Sequence, residues 1–264
     1  MEWQQVENNF VLAPSQPKGV IHFLGGAFFA AAPQISYSRM LETLAGEGYV
    51  IVATPFVNST FDHRQIAIDV HKSFKRTRSK LFLDYFPLFG LGHSMGCKIH
   101  ILINSLYPSD RGGNMFISYN NSGTKQSIPL FKEFSSTIPE MAMMEFTPSP
   151  LETMELINQS YEVADNLLIK FVDDNIDEIA ILATQLKRKF NSRVNVQTLA
   201  GTHLTSMGMD LKWQAGQSFT PVDAVFQWLR QGIHKDNSTL EQTLLTWLRT
   251  QNSQLKTKIQ KVKE

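Results

Sequence analysis

One stretch constrains the whole chain: Phe86-Pro-Leu-Phe-Gly-Leu-Gly-His-Ser-Met-Gly-Cys-Lys98. An apolar run enters Gly92-His93-Ser94-Met95-Gly96, and an apolar-periodic segment from Lys98 to Tyr107 follows. That order is strand, sharp turn, helix. Gly-x-Ser-x-Gly in this setting is a nucleophile elbow. Side chains at the flanking positions would clash in so tight a turn, and glycine has none. The turn lifts the serine oxygen above the sheet edge, at the positive end of the next helix. The Met95 N–H faces the same space and is one half of an expected oxyanion hole. The five residues alone also fit an ordinary βα turn with Ser94 as a helix cap, so partners elsewhere in the chain must decide.

Composition narrows the classes. The chain has 264 residues, enough for one large α/β domain, expected over 1–264. It is 42% hydrophobic and 19% charged, which excludes a disordered chain. A net charge of +1 gives no electrostatic case for a nucleic-acid partner. The one cysteine, Cys97, allows no intrachain disulfide and no Cys-rich metal site. No metal and no organic cofactor are expected. The N-terminus Met-Glu-Trp-Gln-Gln-Val-Glu7 lacks the basic region and apolar core of a signal peptide. No run approaches the roughly eighteen apolar residues of a membrane span. The expected setting is the cytoplasm, and the expected partner is a small molecule.

Taken in order, Trp3 to Leu12 reads as a first strand and Gly19 to Leu24 as a buried one, ending in Gly25-Gly26-Ala27-Phe28. Ser36 to Gly48 has helical spacing. Tyr49 to Ala53 is the next buried strand, and Asp62 to Lys80 is helix-like with Asp62 as its cap. After the elbow come a strand at Asn114–Tyr119, a helix near Leu151–Tyr161, a strand at Leu167–Phe171, a helix at Glu178–Phe190 and a strand at Val194–Leu199. Pro221 to Gly232 and Thr239 to Leu248 read as helices, and a helical tail is expected over about 239–264. Strands alternating with helices predict a mostly parallel sheet with helices on both faces. Between about 124 and 161 the alternation breaks. Ile128 to Phe146 is rich in Met and Phe and reads as an inserted lid. Its apolar residues either line a pocket for an acyl group or simply pack onto the domain. Attachment to a membrane surface through it is a weaker third possibility, for want of a strong cationic face.

A serine nucleophile needs a base to take its proton and an acid to orient that base. The chain supplies both, in the order Ser, Asp, His. Phe171-Val-Asp-Asp-Asn-Ile-Asp177 follows one strand, and Gly201-Thr-His203 follows the last. His203 is the one histidine of the seven in such a glycine-flanked loop. Asp174 sits where the orienting carboxylate normally falls, Asp173 is the other candidate, and Asp177 suits a helix cap. The second oxyanion donor is expected from the N–H of Gly26 or Ala27, since glycine lets a backbone approach substrate closely. His93 should diverge from the serine, lining the pocket or filling space.

These motifs together resemble the α/β-hydrolase superfamily from about Gly19 to Gly232. More narrowly, Gly-His-Ser-Met-Gly-Cys-Lys-Ile-His100, with Phe23–Phe28, Thr54-Pro-Phe56, Phe171–Asp177 and His203-Leu-Thr205, resembles domain-of-unknown-function family 1350, hydrolase-like proteins typical of cyanobacteria and plastids. The resemblance implies the α/β-hydrolase fold and the elbow. Phe171 stands where a glycine is usual, two residues before the first aspartate of the acid loop. The expected activity is serine hydrolysis of an ester or thioester with an apolar acyl part. The rival expectation is a binding or scaffold protein that keeps the fold and a vestigial triad.

Overall fold

The computed structural model describes residues 1–27, 29–57, 60–121, 146–207 and 238–263. Its strands are β1 (Gln4–Val6), β2 (Asn9–Leu12), β3 (Gly19–Leu24), β4 (Tyr49–Ala53), β5 (Leu88–His93), β6 (Arg111–Ile117), β7 (Asn166–Phe171) and β8 (Val194–Leu199). Its helices are α1 (Pro33–Ser36), α2 (Ser38–Gly46), α3 (His63–Lys80), α4 (Met95–Leu106), α5 (Pro150–Ser160), α6 (Ile179–Phe190) and α7 (Ser238–Lys263). Most of the lid expected at about 124–161, namely 124–145, and the helix expected at Pro221–Gly232 lie outside the described residues.

The strands form one sheet in the order β1-β2-β4-β3-β5-β6-β7-β8. From β4 to β8 neighbouring strands are parallel, and β1 and β2 run antiparallel at one edge. The single strand expected over Trp3–Leu12 is therefore a hairpin. Glu7 turns the chain at φ 52°, a conformation no strand residue adopts.

The continuous apolar runs of β3 and β4 are explained by cover on both faces. Alternate residues point to opposite sides. Ile21, Phe23, Ile51, Leu91, Met115, Ile117 and Ile169 pack with Met40, Leu41 and Leu44 of α2 and Leu240, Leu244 and Leu248 of α7. Val20, Leu24, Val50, Phe116 and Leu168 face the other way, against α3, α4, α5 and α6. Leu240, Leu244, Trp247 and Leu248 are buried at helical spacing, which seats α7. Local signals set the helix ends. Asp62 accepts the Gln65 N–H at 2.8 Å, and Ser149 and Glu152 form a reciprocal capping box at the start of α5.

Below the site the core holds a polar chain. Buried Asn9 donates to Ser73 Oγ at 3.0 Å and Thr77 Oγ1 at 2.7 Å. It accepts from Thr54 Oγ1 at 2.5 Å. Thr54 in turn accepts from His22 Nε2 at 3.0 Å, and His22 Nδ1 faces Arg111 Nη2 at 3.0 Å. Arg111 can only donate, so His22 is the neutral Nε2–H tautomer.

The topology fixes where chemistry can occur. From β3 the chain steps outward to β4, and β5 lies on the other side of β3. Loops leaving β3 and β5 diverge there and open a crevice at the carboxyl ends of the strands. The loop beginning at Gly25 and the elbow at Ser94 share that crevice, because Leu24 and Gly92 are register partners.

Candidate active site

Ser94 follows the last residue of β5 and precedes the first of α4, at φ 52° and ψ −120°. Non-glycine residues rarely adopt that backbone, and holding one there costs about 1–3 kcal/mol. The surroundings hold it. The Ser94 N–H donates to the Ile117 carbonyl at 2.9 Å. A Cβ on Gly96 would lie 2.1 Å from the Leu24 oxygen and 2.7 Å from the Gly25 oxygen. Helix α4 is thus pressed against the end of β3, closer than any side chain permits. Gly96→Ala must push α4 out against fixed backbone. The expected result is a melting temperature lower by about 10 °C, the upper end of an overpacking penalty, read by thermal circular dichroism.

His203 comes from the loop after β8, and Asp174 from the loop after β7. The two strands are parallel neighbours with Phe171 opposite Leu199, so the loops emerge side by side. The Asp173 N–H donates to the Gly201 carbonyl at 2.9 Å and ties them together. His203 Nε2 lies 3.0 Å from Ser94 Oγ, and His203 Nδ1 lies 2.8 Å from Asp174 Oδ2. Asp174 is buried, and its other oxygen accepts the N–H groups of Ile176 at 3.1 Å and Asp177 at 3.2 Å. Burial alone would raise this carboxyl. The hydrogen bond and charge of His203 and the Ile176 N–H outweigh it, and the pKa falls to about 2. An ionised Asp174 must accept, so Nδ1 carries a proton and Nε2 offers its lone pair to the serine hydroxyl.

The structure brings together Ser94, His203 and Asp174 and leaves Asp173 exposed on the outer side of its loop. Asp177 does not reach the site. It accepts the Ile179 N–H at 3.0 Å and pairs with Lys170 at 2.9 Å.

The oxyanion candidates separate as well. The Met95 and Ala27 N–H groups have no partner among the described residues. The Gly26 N–H is already taken: it donates to the Tyr37 hydroxyl at 2.8 Å. Gly26 is a glycine for space, since a Cβ there would come 3.1 Å from His93 Nδ1 and 3.4 Å from Ser94 Cβ.

Tyr37, and the hydrogen bonds by which His93 does more than line the pocket or fill space, are what the sequence did not expose. Tyr37 OH lies 2.8 Å from His93 Nδ1, and His93 Nε2 lies 2.8 Å from the His203 carbonyl oxygen. Burial, with the neighbouring His203 adding to it, pushes the His93 pKa down to about 3, so the ring is neutral. A carbonyl only accepts, so Nε2 carries the proton and Nδ1 the lone pair. Tyr37 therefore donates to His93 and accepts from Gly26. Every group in the chain is satisfied. The available signal was a tyrosine at a core position of a helical pattern, because a buried phenol needs a partner for its hydroxyl.

Among the described residues no group of three or more His, Cys, Asp or Glu side chains could hold a metal ion. Nor is any described helix long and apolar enough to cross a membrane.

Solved structures similar to this chain match it over most of its length at low identity. One is MGS-MChE2, an alpha/beta hydrolase enzyme from the metagenome of sediments from the lagoon of Mar Chica, Morocco. It has a TM-score of 0.52 at 13% identity, covering 88% of this chain and 99% of that one. The esterase domain from a Rhodothermus marinus protein has a TM-score of 0.52 at 14% identity, covering 89% and 100%. The thioesterase domain from the curacin biosynthetic pathway has a TM-score of 0.50 at 12% identity, covering 78% and 94%. At such identities the likeness shows the fold, and it is the α/β-hydrolase fold. No curated protein matches the chain in sequence. A family model does match residues 2–250, and the chain belongs to that family, Protein of unknown function (DUF1350).

Proposed function

We propose that this protein is a serine hydrolase that cleaves a carboxylic ester or thioester. The observation that carries the reading is the continuous hydrogen-bonded line from Ser94 Oγ through His203 to Asp174. In the rival reading, a binding protein with a vestigial triad, nothing requires His203 to point at the serine. The 3.0 Å approach speaks against it. The esterase and thioesterase domains that share the fold agree with the reaction class.

The steps follow from the geometry. Ser94 Oγ attacks the substrate carbonyl while His203 Nε2 takes the hydroxyl proton. Asp174 holds the ring and stabilises its cation. Negative charge develops on the carbonyl oxygen, where the N–H groups of Met95 and Ala27 receive it. His203 then gives its proton to the departing alkoxide or thiolate, leaving an acyl group on Ser94. Water attacks that acyl group, losing a proton to His203. Collapse returns the proton to Ser94 Oγ and releases the carboxylic acid. The apolar acyl preference rests on the composition of Ile128–Phe146, rich in Met and Phe.

A fluorophosphonate probe tests the reading directly, because it reacts with an activated serine and not with an ordinary hydroxyl. The expected result is one adduct by intact mass, mapped to the Ser94 peptide and missing from Ser94→Ala. Folded wild-type protein that stays unlabelled, with and without mild detergent to open a lid, would overturn the proposal.

A further inference from the structure

We infer that Tyr37 and His93 are positioning residues of this site: one hydrogen-bonded chain beneath Ser94 locks the oxyanion loop to the His203 loop and leaves Ala27 as the loop's oxyanion donor. The inference rests on the hydrolase reading above and adds the parts that hold it in register.

The chain ties the neighbouring ends of β3 and β5 to the loop after β8, which the topology leaves apart from both. Gly26 belongs to the loop after β3, His93 to the end of β5, and His203 to the loop after β8. In the sheet β5 and β8 are separated by β6 and β7. The path has three contacts of 2.8 Å each, and the last of them, from His93 Nε2 to the His203 carbonyl, crosses that gap. Tyr37 is fully buried and His93 is 1% exposed, so water cannot replace either partner. The packing around them is equally close. A Cβ on Gly25 would meet the Tyr37 ring at 2.8 Å, the Tyr37 ring lies edge-on to Phe23 at 4.7 Å between centroids, and the His93 and His203 rings lie 5.0 Å apart.

The direction of donation gives the chain its effect on chemistry. Tyr37 draws the Gly26 N–H away from the crevice, which orients the next peptide, and the Ala27 N–H stays without a described partner. At the other end His93 holds the backbone of His203 itself, not a neighbour. The ring that must meet Ser94 Oγ therefore has its side chain fixed by Asp174 and its main chain by His93. A shift of about 1 Å in such a group can lower a rate by about a hundredfold. Loss of one preorganised oxyanion donor has an effect of similar size. Neither residue touches the reacting atoms.

The test is steady-state hydrolysis of p-nitrophenyl butyrate by wild type, Ser94→Ala, Tyr37→Phe, His93→Phe and His93→Gln. Tyr37→Phe removes only the hydroxyl. His93→Phe keeps a ring and removes both nitrogens. His93→Gln restores a donor for the His203 carbonyl. The expected result is a kcat lower by about 10–100-fold in the two Phe variants, with KM within about twofold of wild type. His93→Gln should recover part of the loss. A role in stability alone would lower the folded fraction and leave kcat per active site, titrated with the fluorophosphonate, unchanged. If His93→Phe does not fold, Tyr37→Phe and His93→Gln carry the comparison. Ser94-dependent turnover in wild type with unaltered kcat in the folded variants would overturn this inference alone. Turnover that survives Ser94→Ala would overturn the hydrolase reading with it.

Discussion

Ser94→Ala and His203→Ala are each expected to lower kcat for an ester substrate by about 10⁶-fold, and the double variant by no more than either single change. The nucleophile and its base act as one device. Without Ser94 Oγ the proton acceptor at His203 Nε2, 3.0 Å away, has nothing to activate. Without the imidazole the hydroxyl is too weak an acid to attack. Removing the second member of a broken pair therefore changes little. The residual rate should still exceed that in water by about 10³–10⁴-fold, because the Met95 and Ala27 N–H groups would remain to receive negative charge. Both variants should keep the fold. His203 is a loop residue and Ser94 makes its structural bond through the backbone N–H to Ile117. Single-turnover and steady-state rates on the three proteins decide the matter. A double variant clearly slower than both singles would mean that the two residues act independently, and the triad mechanism would fall.

The parts of this site legible in the sequence are those fixed by local sterics. Gly92 and Gly96 flank Ser94 because the turn leaves no volume for a Cβ, and that requirement is written in five consecutive residues. The buried strands were legible for a similar reason: parallel strands covered on both faces have no polar side to show. Choosing Asp174 over Asp173 was harder, because strand alternation ends at Phe171. In the structure a turn brings the Asp174 N–H to 3.3 Å from the Phe171 carbonyl and sends its side chain inward. The choice between Gly26 and Ala27 was not legible at all. It is decided by the Tyr37 hydroxyl, 11 residues away along the chain, and no local pattern encodes a partner reached by tertiary packing. His93 was hidden in the same way, since its role depends on a carbonyl 110 residues further on. The hairpin at the N-terminus was missed because Glu7 supplies the positive φ without a glycine to announce it.

Acidification should unfold this protein cooperatively at about pH 3.5–5.5, with the loss of stability beginning near pH 6.5, above the range where carboxylates titrate. Among the described residues four histidines are buried: His22 and His100 at 0% exposure, His93 at 1% and His63 at 3%. Burial drives each pKa down, to about 3 for His63 and His93 and well below the ordinary value for the other two. At His22 and His93 the contacts also oppose a second ring proton. A proton on His22 Nδ1 would oppose the Arg111 guanidinium at 3.0 Å. One on His93 Nδ1 would displace the Tyr37 hydroxyl. In the unfolded chain each histidine titrates near 6.5. Between that value and the folded one, unfolded protein binds the protons and native protein does not. Stability is therefore level above about pH 7 and falls as pH drops below about 6.5. The slope is about 1.4 kcal/mol per pH unit for each histidine, or about 5 kcal/mol per unit for four. A typical stability of about 5–15 kcal/mol is exhausted within one to three units. Asp174, held at about 2, is lowered too, so its contribution is lost in the same direction, but only below about pH 4. Urea midpoints measured by tryptophan fluorescence at pH 7.5, 6.5 and 5.5 should fall slightly between the first two and sharply between the second and third. His63 provides the control. Both its ring nitrogens are buried with no partner among the described residues, and its ring stacks on Phe146 at 4.1 Å. His63→Phe should keep that stacking and remove about a quarter of the acid slope. A midpoint at pH 5.5 equal to that at 7.5 would mean that the native fold accommodates charged histidines, contrary to this account of its core.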